Sequence, residues 1–115
     1  MIFVIDDDKV MGECVARACR EDVRLFTNAI EAMETLSDGM MPDLIFLDIL
    51  LDGPDGFTFL NEMASYSDTA KIPVVVVTSL DLGGQDLSVY GVVGMLSKET
   101  MRPEEVREYV EKYVG

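Results

Sequence analysis

The chain alternates short apolar runs with segments of helical spacing along its whole length, and this alternation limits the fold more than any other feature. The five runs are Ile2–Ile5, Val23–Thr27, Leu44–Leu47, Val74–Val77 and Val92–Leu96. A continuous apolar run is typical of a strand buried on both faces, whereas the more polar second run suits an edge strand. Repeated strand-then-helix units predict a parallel sheet with helices on both sides. We therefore predict a three-layer α/β/α fold with a five-stranded parallel sheet, in one domain covering residues 1–115.

Four segments between and after these runs carry clear helical signals, and a fifth is weak. The first clear signal is an apolar stripe over Met11–Cys19, and the second is a capping box at Asn28-x-x-Glu31 with a helix through about Ser37. The third is the helical spacing of Phe57, Leu60 and Ala64. The fourth is Pro103 at a first helical turn, followed on one helix face by Val106, Val110, Tyr113 and Val114. The weak segment is Asp81–Tyr90. Gly83 and Gly84 together cost it about 2 kcal/mol of helix stability relative to alanine.

The net charge of −13 restricts the partners of the chain. A field of this sign opposes binding to nucleic acid or to an anionic membrane surface. No apolar run approaches the roughly 20 residues of a membrane-spanning helix, and the N-terminal MIFVIDDDKV lacks the basic leader of a signal peptide. We expect a cytoplasmic protein that binds neither nucleic acid nor membrane.

The absence of histidine, together with only two cysteines, excludes several classes of site. Zinc centres of the usual ligand types and Ser–His or Cys–His nucleophile pairs are ruled out. Cys14 and Cys19 are five residues apart in a predicted helix, so they point about 140° apart and cannot form a disulfide. We predict that both are reduced and packed in or near the core.

Polar residues follow four of the predicted strands at their carboxyl ends. They are Asp6, Asp7 and Asp8 after the first run, Asp48 after the third, Thr78 and Ser79 after the fourth, and Lys98 after the fifth. Ligands of parallel α/β sheets bind outside the carboxyl ends of the strands, so these side chains are expected to converge. Clustered carboxylates repel one another unless a cation lies among them, and oxygen ligands alone suit Mg²⁺ or Mn²⁺.

Each of these signals also has an ordinary structural explanation. Adjacent acids after a strand often form a turn, and Asp8 is expected to cap the first helix. Thr78 and Ser79 are compatible with a simple turn, and Lys98 with a solvated side chain. The combination at the proper strand ends is more specific than any single residue.

The sequence resembles the response-regulator receiver family over residues 2–114. FVIDDDKV resembles the first strand and acid pair of the family, PDLIFLDILLDGPDG the third strand and its loop, PVVVVTS the fourth strand and its hydroxyl residue, and MLSK the family lysine. This resemblance implies a flavodoxin-like sheet of order 2-1-3-4-5 and a receiver domain over 1–115.

The resemblance also implies a role for each matched residue. Asp48 becomes the phosphoacceptor, assisted by Thr78 and Lys98. The metal ligands become Asp7, Asp48 and the main-chain carbonyl of Leu50, with Asp6 acting largely through bound water. The cofactor is then Mg²⁺, with Mn²⁺ as a substitute, and the partner is a histidine kinase or a histidine phosphotransfer protein. Such a chain is no enzyme toward other substrates, because it catalyses only its own phosphorylation and dephosphorylation.

Three departures from the family pattern concern the readout of phosphorylation. Met95 stands where the family has an aromatic switch residue, three positions before the lysine. Lys98-Glu99 replaces the usual Lys-Pro, and the stretch between Thr78 and Lys98 is short and contains glycines. The resemblance therefore implies signalling through a surface change with an atypical switch.

Two further positions bear on how long a phosphoryl group lasts. In the family, hydrolysis depends on the side chains two residues past the phosphoacceptor and two past the hydroxyl residue. Here these are Leu50 and Leu80. Neither can orient the attacking water or accept its proton, which predicts a long-lived phosphoryl group.

Two other functions are compatible with the same residues. The first is a phosphohydrolase with an aspartyl nucleophile, as in the haloacid-dehalogenase superfamily. The spacing within Asp6-Asp7-Asp8 resembles the motif of that superfamily, but the sequence shows no sign of its cap domain. The second is a pseudo-receiver that binds a partner without being phosphorylated, which the altered switch favours.

Overall fold

Five short strands follow one another along the chain, as the apolar runs predict. They are β1 (Ile2–Ile5), β2 (Val23–Phe26), β3 (Leu44–Leu47), β4 (Val74–Thr78) and β5 (Val92–Ser97). In the computed structural model, which describes residues 1–51, 55–79 and 86–115, the strands form one parallel sheet of order β2-β1-β3-β4-β5. The predicted fold class is therefore confirmed.

Four helices cover the two faces of this sheet within the described residues. They are α1 (Lys9–Cys19), α2 (Ala29–Ser37), α3 (Gly56–Ala64) and α4 (Pro103–Tyr113), and one turn of 3₁₀ helix spans Ser88–Tyr90. Helices α1 and α4 bury Val15 and Val106 against one face of the sheet, together with Val4 of β1. Helices α2 and α3 bury Leu36 and Phe59 against the opposite face. None of the described helices is long and apolar enough to cross a membrane.

Side-chain caps fix where the helices begin, and thereby where the loops beyond the strands turn. The Asp8 carboxylate accepts hydrogen bonds from the backbone N–H groups of α1, and Asn28 Oδ1 accepts one from Glu31 N–H at 2.9 Å. Asp8 and Asn28 are therefore N-caps, as predicted. Asp55 caps α3 by accepting from Thr58 N–H at 2.9 Å. These bonds satisfy backbone donors that have no partner inside the helix.

One prediction for α1 is wrong. Cys19 is buried, but Cys14 is exposed and not packed in the core. The buried side of α1 contains Gly12, Val15, Ala18 and Cys19, which is narrower than the apolar stripe in the sequence. Cys14 falls outside this arc because successive residues of a helix turn by about 100°.

The weak helical segment 81–90 is described only in part, since residues 81–85 lie outside the described ranges. The remainder contains the 3₁₀ turn, which ends at Gly91 with φ +81°. A left-handed conformation of this kind is easily adopted only by glycine. The turn leads directly into β5.

Candidate functional site

Three carboxylates converge at the carboxyl edge of the sheet. Asp6 and Asp7 directly follow β1, and Asp48 directly follows β3. The two strands are neighbours, with Ile5 in register with Leu47, so Asp6 and Asp48 emerge side by side. One carboxylate oxygen from each of Asp6, Asp7 and Asp48 lies within 4.8 Å of the others. The convergence predicted for these residues is therefore present in the structure.

Backbone hydrogen bonds hold the two buried carboxylates in place. Asp6 Oδ1 accepts from Asp8 N–H at 2.9 Å, and Asp48 Oδ1 accepts from Leu50 N–H at 3.0 Å. The main chain is fixed as well, because Asp48 N–H donates to Ile5 O at 2.9 Å. Both side chains are buried, whereas Asp7 is at least partly exposed. Hydrogen bonds of this kind compensate part of the cost of burying a charge.

The Lys98 ammonium bridges the two buried carboxylates. Lys98 Nζ lies 3.0 Å from Asp6 Oδ2 and 2.9 Å from Asp48 Oδ2, and 15% of its side-chain surface is exposed. Partial burial alone disfavours the charged ammonium, but the hydrogen bonds to Asp48 and Asp6 outweigh it and raise the Lys98 pKa. For Asp6, burial dominates and raises the pKa, although the Asp8 N–H and Lys98 oppose this shift.

The loop after β5 positions Lys98 without the Lys-Pro peptide of the family pattern. Ser97 O accepts from Thr100 N–H at 3.2 Å and from Met101 N–H at 2.8 Å. Ser97 Oγ also accepts from Glu99 N–H at 3.2 Å. One serine therefore closes the turn that contains the lysine. This role of Ser97 was not predicted from the sequence, although a serine before a turn is a usual signal for it.

The structure also describes three other residues that the sequence singled out, Thr78, Leu50 and Met95. Thr78 is buried at the end of β4, and its carbonyl oxygen accepts from Lys98 N–H at 3.0 Å. Leu50 follows Asp48 by two residues, and 50% of its surface is exposed. Met95 on β5 is also exposed. Leu80 lies outside the described residues.

The charge of the cluster suits a divalent cation. Three carboxylates and one ammonium carry two uncompensated negative charges when all are ionised, and the ligand atoms are hard oxygens. Close carboxylates of this kind disfavour each other's ionised form in the absence of a cation. Oxygen ligands without imidazole or thiolate are those that Mg²⁺ and Mn²⁺ prefer. The residues present therefore fit such an ion.

Comparisons with known proteins agree with this arrangement. Residues 2–111 match the response regulator receiver domain family. The transcriptional regulator RpaA of Synechocystis is 34% identical over 82 residues, which cover 69% of this chain and 34% of RpaA.

Two solved structures have the same fold. The receiver domain of NtrX from Brucella abortus superposes with a TM-score of 0.84 at 24% identity, covering 99% of this chain and 98% of that chain. The phosphorylated cyanobacterial phytochrome response regulator RcpA gives a TM-score of 0.75 at 25% identity, covering 96% of this chain and 88% of that chain.

The fold, the site and the family match define a receiver domain of two-component signalling. The chain belongs to the response regulator receiver domain family. It spans about a third or less of the length of the first curated relatives that it matches.

Proposed function

We propose that this chain is a phosphoacceptor that takes a phosphoryl group onto Asp48 in a Mg²⁺-dependent reaction. The observation that supports this most strongly is the position of the Lys98 ammonium, 2.9 Å from Asp48 Oδ2 and 3.0 Å from Asp6 Oδ2, in a cluster that also contains the Asp7 carboxylate. A carboxylate with a cation beside it and a metal-binding group of oxygens next to it is equipped to accept a phosphoryl group.

The transfer requires one bond to form and one to break. A carboxylate oxygen of Asp48 attacks the phosphorus of a phosphohistidine in the donor protein. The phosphorus–nitrogen bond breaks, and its electron pair returns to the imidazole, which then takes up a proton. In this proposal the Lys98 ammonium and the Thr78 hydroxyl bind the phosphoryl oxygens. The ion supplies charge neutralisation when it is bound, and we propose Asp6, Asp7, Asp48 and the Leu50 carbonyl as the groups that hold it.

Both Asp48 oxygens already have partners. Oδ1 accepts from Leu50 N–H and Oδ2 pairs with Lys98. An acyl phosphate on either oxygen must lengthen one of these contacts, and therefore moves Lys98 or the peptide of Leu50. Lys98 directly follows β5, the edge strand on which Met95 is exposed. We propose that the signal leaves through this strand without the usual aromatic switch.

This sequence contains no histidine, so the phosphohistidine donor lies outside these 115 residues. We propose a histidine kinase or a histidine phosphotransfer protein of the cytoplasm, consistent with the family. The net charge of −13 makes a basic protein surface the suitable partner, and not nucleic acid or membrane. The solved structure of RcpA in its phosphorylated form provides a precedent within the family.

A gel experiment separates this proposal from its alternatives. The protein is treated with acetyl phosphate and Mg²⁺ and run on a gel that retards phosphoproteins, beside Asp48→Ala and the matched control Asp52→Ala. We expect a slower band for the wild type and for Asp52→Ala, and none for Asp48→Ala. Turnover of acetyl phosphate without a slower band indicates a phosphohydrolase. No band and no turnover indicates a scaffold without phosphorylation, and either result overturns the proposal.

A further inference from the structure

A groove between α2 and α3 lies on the face of the sheet opposite α1 and α4, and the proposed phosphorylation does not use it. It consists of two adjoining depressions of about 370 and 320 Å³ that share Met33, Ser37 and Tyr66. From α2, Ile30, Met33, Glu34 and Ser37 line it at the spacing i, i+3, i+4 and i+7. One full side of this helix therefore faces the groove. We call this surface the α2–α3 groove.

The floor of the α2–α3 groove is apolar and open to solvent. Ile30 and Tyr66 are 52% and 57% exposed, and Met41 is 40% exposed. Met33 lines both depressions and packs partly against the core. Single exposed apolar residues are common, but several that line one groove indicate a binding surface.

The rim of the groove is acidic. Glu34, Asp38, Glu62 and Asp68 line it, and no lysine or arginine does. Among the described residues, none of these four acids forms a salt bridge. The sequence explains this charge pattern, because residues 25–70 contain nine acids and no lysine or arginine.

We propose that the α2–α3 groove binds an amphipathic helix of a partner protein, with apolar side chains along one face and lysine or arginine on both flanks. An apolar floor accepts side chains at positions i, i+3, i+4 and i+7, which is the usual mode of binding a helix in a groove. The flexible side chains of Met33 and Met41 adapt to different anchors. The acidic rim favours a basic helix and opposes nucleic acid and anionic lipid.

A synthetic peptide tests this proposal directly. The probe is a peptide of about 18 residues, long enough to form a helix, with leucine on one face and lysine on both flanks. Its binding to the intact chain is measured by fluorescence anisotropy, and its position by amide chemical-shift changes. A peptide of the same composition in scrambled order controls for attraction by charge alone.

Two pairs of variants locate the binding surface. Ile30→Ser with Tyr66→Ser removes the exposed floor, and we expect a loss of affinity of about tenfold or more. Val10→Ser is the control, since Val10 is more exposed than either floor residue, at 70%, but lies on α1. We expect the double variant Glu34→Gln/Glu62→Gln to bind the peptide more weakly and with a smaller dependence on salt. We expect Glu13→Gln on α1 to change neither the affinity nor its salt dependence.

Any of four results would overturn the proposal. Equally tight binding of the scrambled and the helical peptide would mean attraction by charge alone. Shift changes outside α2 and α3, or an unchanged affinity of the floor variant, would place the peptide elsewhere. A dimer in sedimentation that the floor variant dissociates would mean that a second copy of the chain covers the groove.

Discussion

At the scale of single residues, Leu50 has the most direct effect on the proposed chemistry. Its N–H donates to Asp48 Oδ1 at 3.0 Å, while its side chain is half exposed and apolar. An apolar group at this point can neither orient water nor take its proton.

We therefore expect that Leu50→Asn shortens the lifetime of the phosphoryl group, by on the order of tenfold or more, because a positioned polar group is typically worth 10²–10⁴ in rate. The protein is phosphorylated, the donor is removed, and the decay of the retarded gel band is followed over time. Leu50→Met is the matched control and should decay like the wild type. Equal decay of Leu50→Asn and wild type would show that Leu50 does not limit the approach of water.

The reactivity of the two cysteines tests the packing of helix α1, because one thiol is buried and the other is exposed. Burial, assisted by the charge of Glu21, raises the pKa of the Cys19 thiol to about 12, so that it stays neutral at physiological pH. Cys14 is exposed. We expect one thiol of the folded protein to react with Ellman's reagent within minutes, and the second only after unfolding in denaturant.

The variant Cys14→Ser identifies the reactive thiol. It should show no fast reaction while the protein is folded. A fast phase that persists in Cys14→Ser would mean that Cys19 is accessible, contrary to the packing described for α1.

The sequence could name the residues of the site but not their pairing. Asp6, Asp48 and Lys98 could be predicted to lie at one edge of the sheet, because the strands of a parallel sheet all end at the same edge. The carboxylates that Lys98 contacts could not be predicted, because they depend on the conformation of the loop that Ser97 closes, and the pattern of apolar residues contains no information about that loop. The resemblance assigned Asp6 mainly to bound water, and the structure adds a direct ion pair with Lys98 at 3.0 Å.

At the scale of secondary structure, the strands and caps were the most predictable features. Apolar runs fixed the bounds of β1 and β3, since both faces of these strands are buried and every residue must be apolar. The ends of β2, β4 and β5 each differed by one residue from the prediction. The exposure of Cys14 could not be predicted, because helical spacing gives the centre of the buried side but not its width.

Close packing at Gly56 ties the start of α3 to the site. A Cβ atom at Gly56 would lie 2.6 Å from the Cα of Ile49 and 2.8 Å from the carbonyl oxygen of Asp48. Both are backbone atoms and cannot rotate away. We expect Gly56→Ala to lower the free energy of unfolding by about 1–3 kcal/mol, as overpacking usually does, and to disturb phosphorylation of Asp48.

A second glycine provides the control for this prediction. A Cβ atom at Gly12 would come closest to the end of the Leu25 side chain, at 3.0 Å, and would make an ordinary contact with Asp6 Cβ at 3.6 Å, while alanine favours the helix. Gly12→Ala should therefore stay within about 1 kcal/mol of the wild type in urea unfolding. If both variants unfold at the same urea concentration, the close approach at Gly56 is not a real constraint.

At the scale of the whole molecule, charge is distributed unevenly over the two helical layers. Arg17, Arg20, Arg107 and Lys112 lie on or at the end of α1 and α4, whereas residues 25–70 contain no basic residue. The acids that converge at the carboxyl edge of the sheet add to this negative side. A divalent ion at the edge should therefore stabilise the entire fold.

We expect Mg²⁺ to raise the free energy of unfolding at low salt, by about 2.7 kcal/mol when its concentration is a hundred times its dissociation constant. Asp7→Asn and Asp48→Asn should remove most of this effect, whereas Glu13→Gln on α1 should keep it. Urea unfolding is compared in Mg²⁺ and in EDTA at matched ionic strength. The same stabilisation in all four proteins would mean that the ion acts by general screening and not at this site.

The central claim is that Asp48 carries the phosphoryl group, and chemical trapping tests it most directly. Borohydride reduces an acyl phosphate of aspartate to homoserine, which peptide mass spectrometry locates in the sequence. After treatment with acetyl phosphate and Mg²⁺, we predict homoserine at residue 48 in the wild type. Homoserine at Asp52, Asp55 or any other acid, or none at all in protein that has consumed acetyl phosphate, would contradict the account.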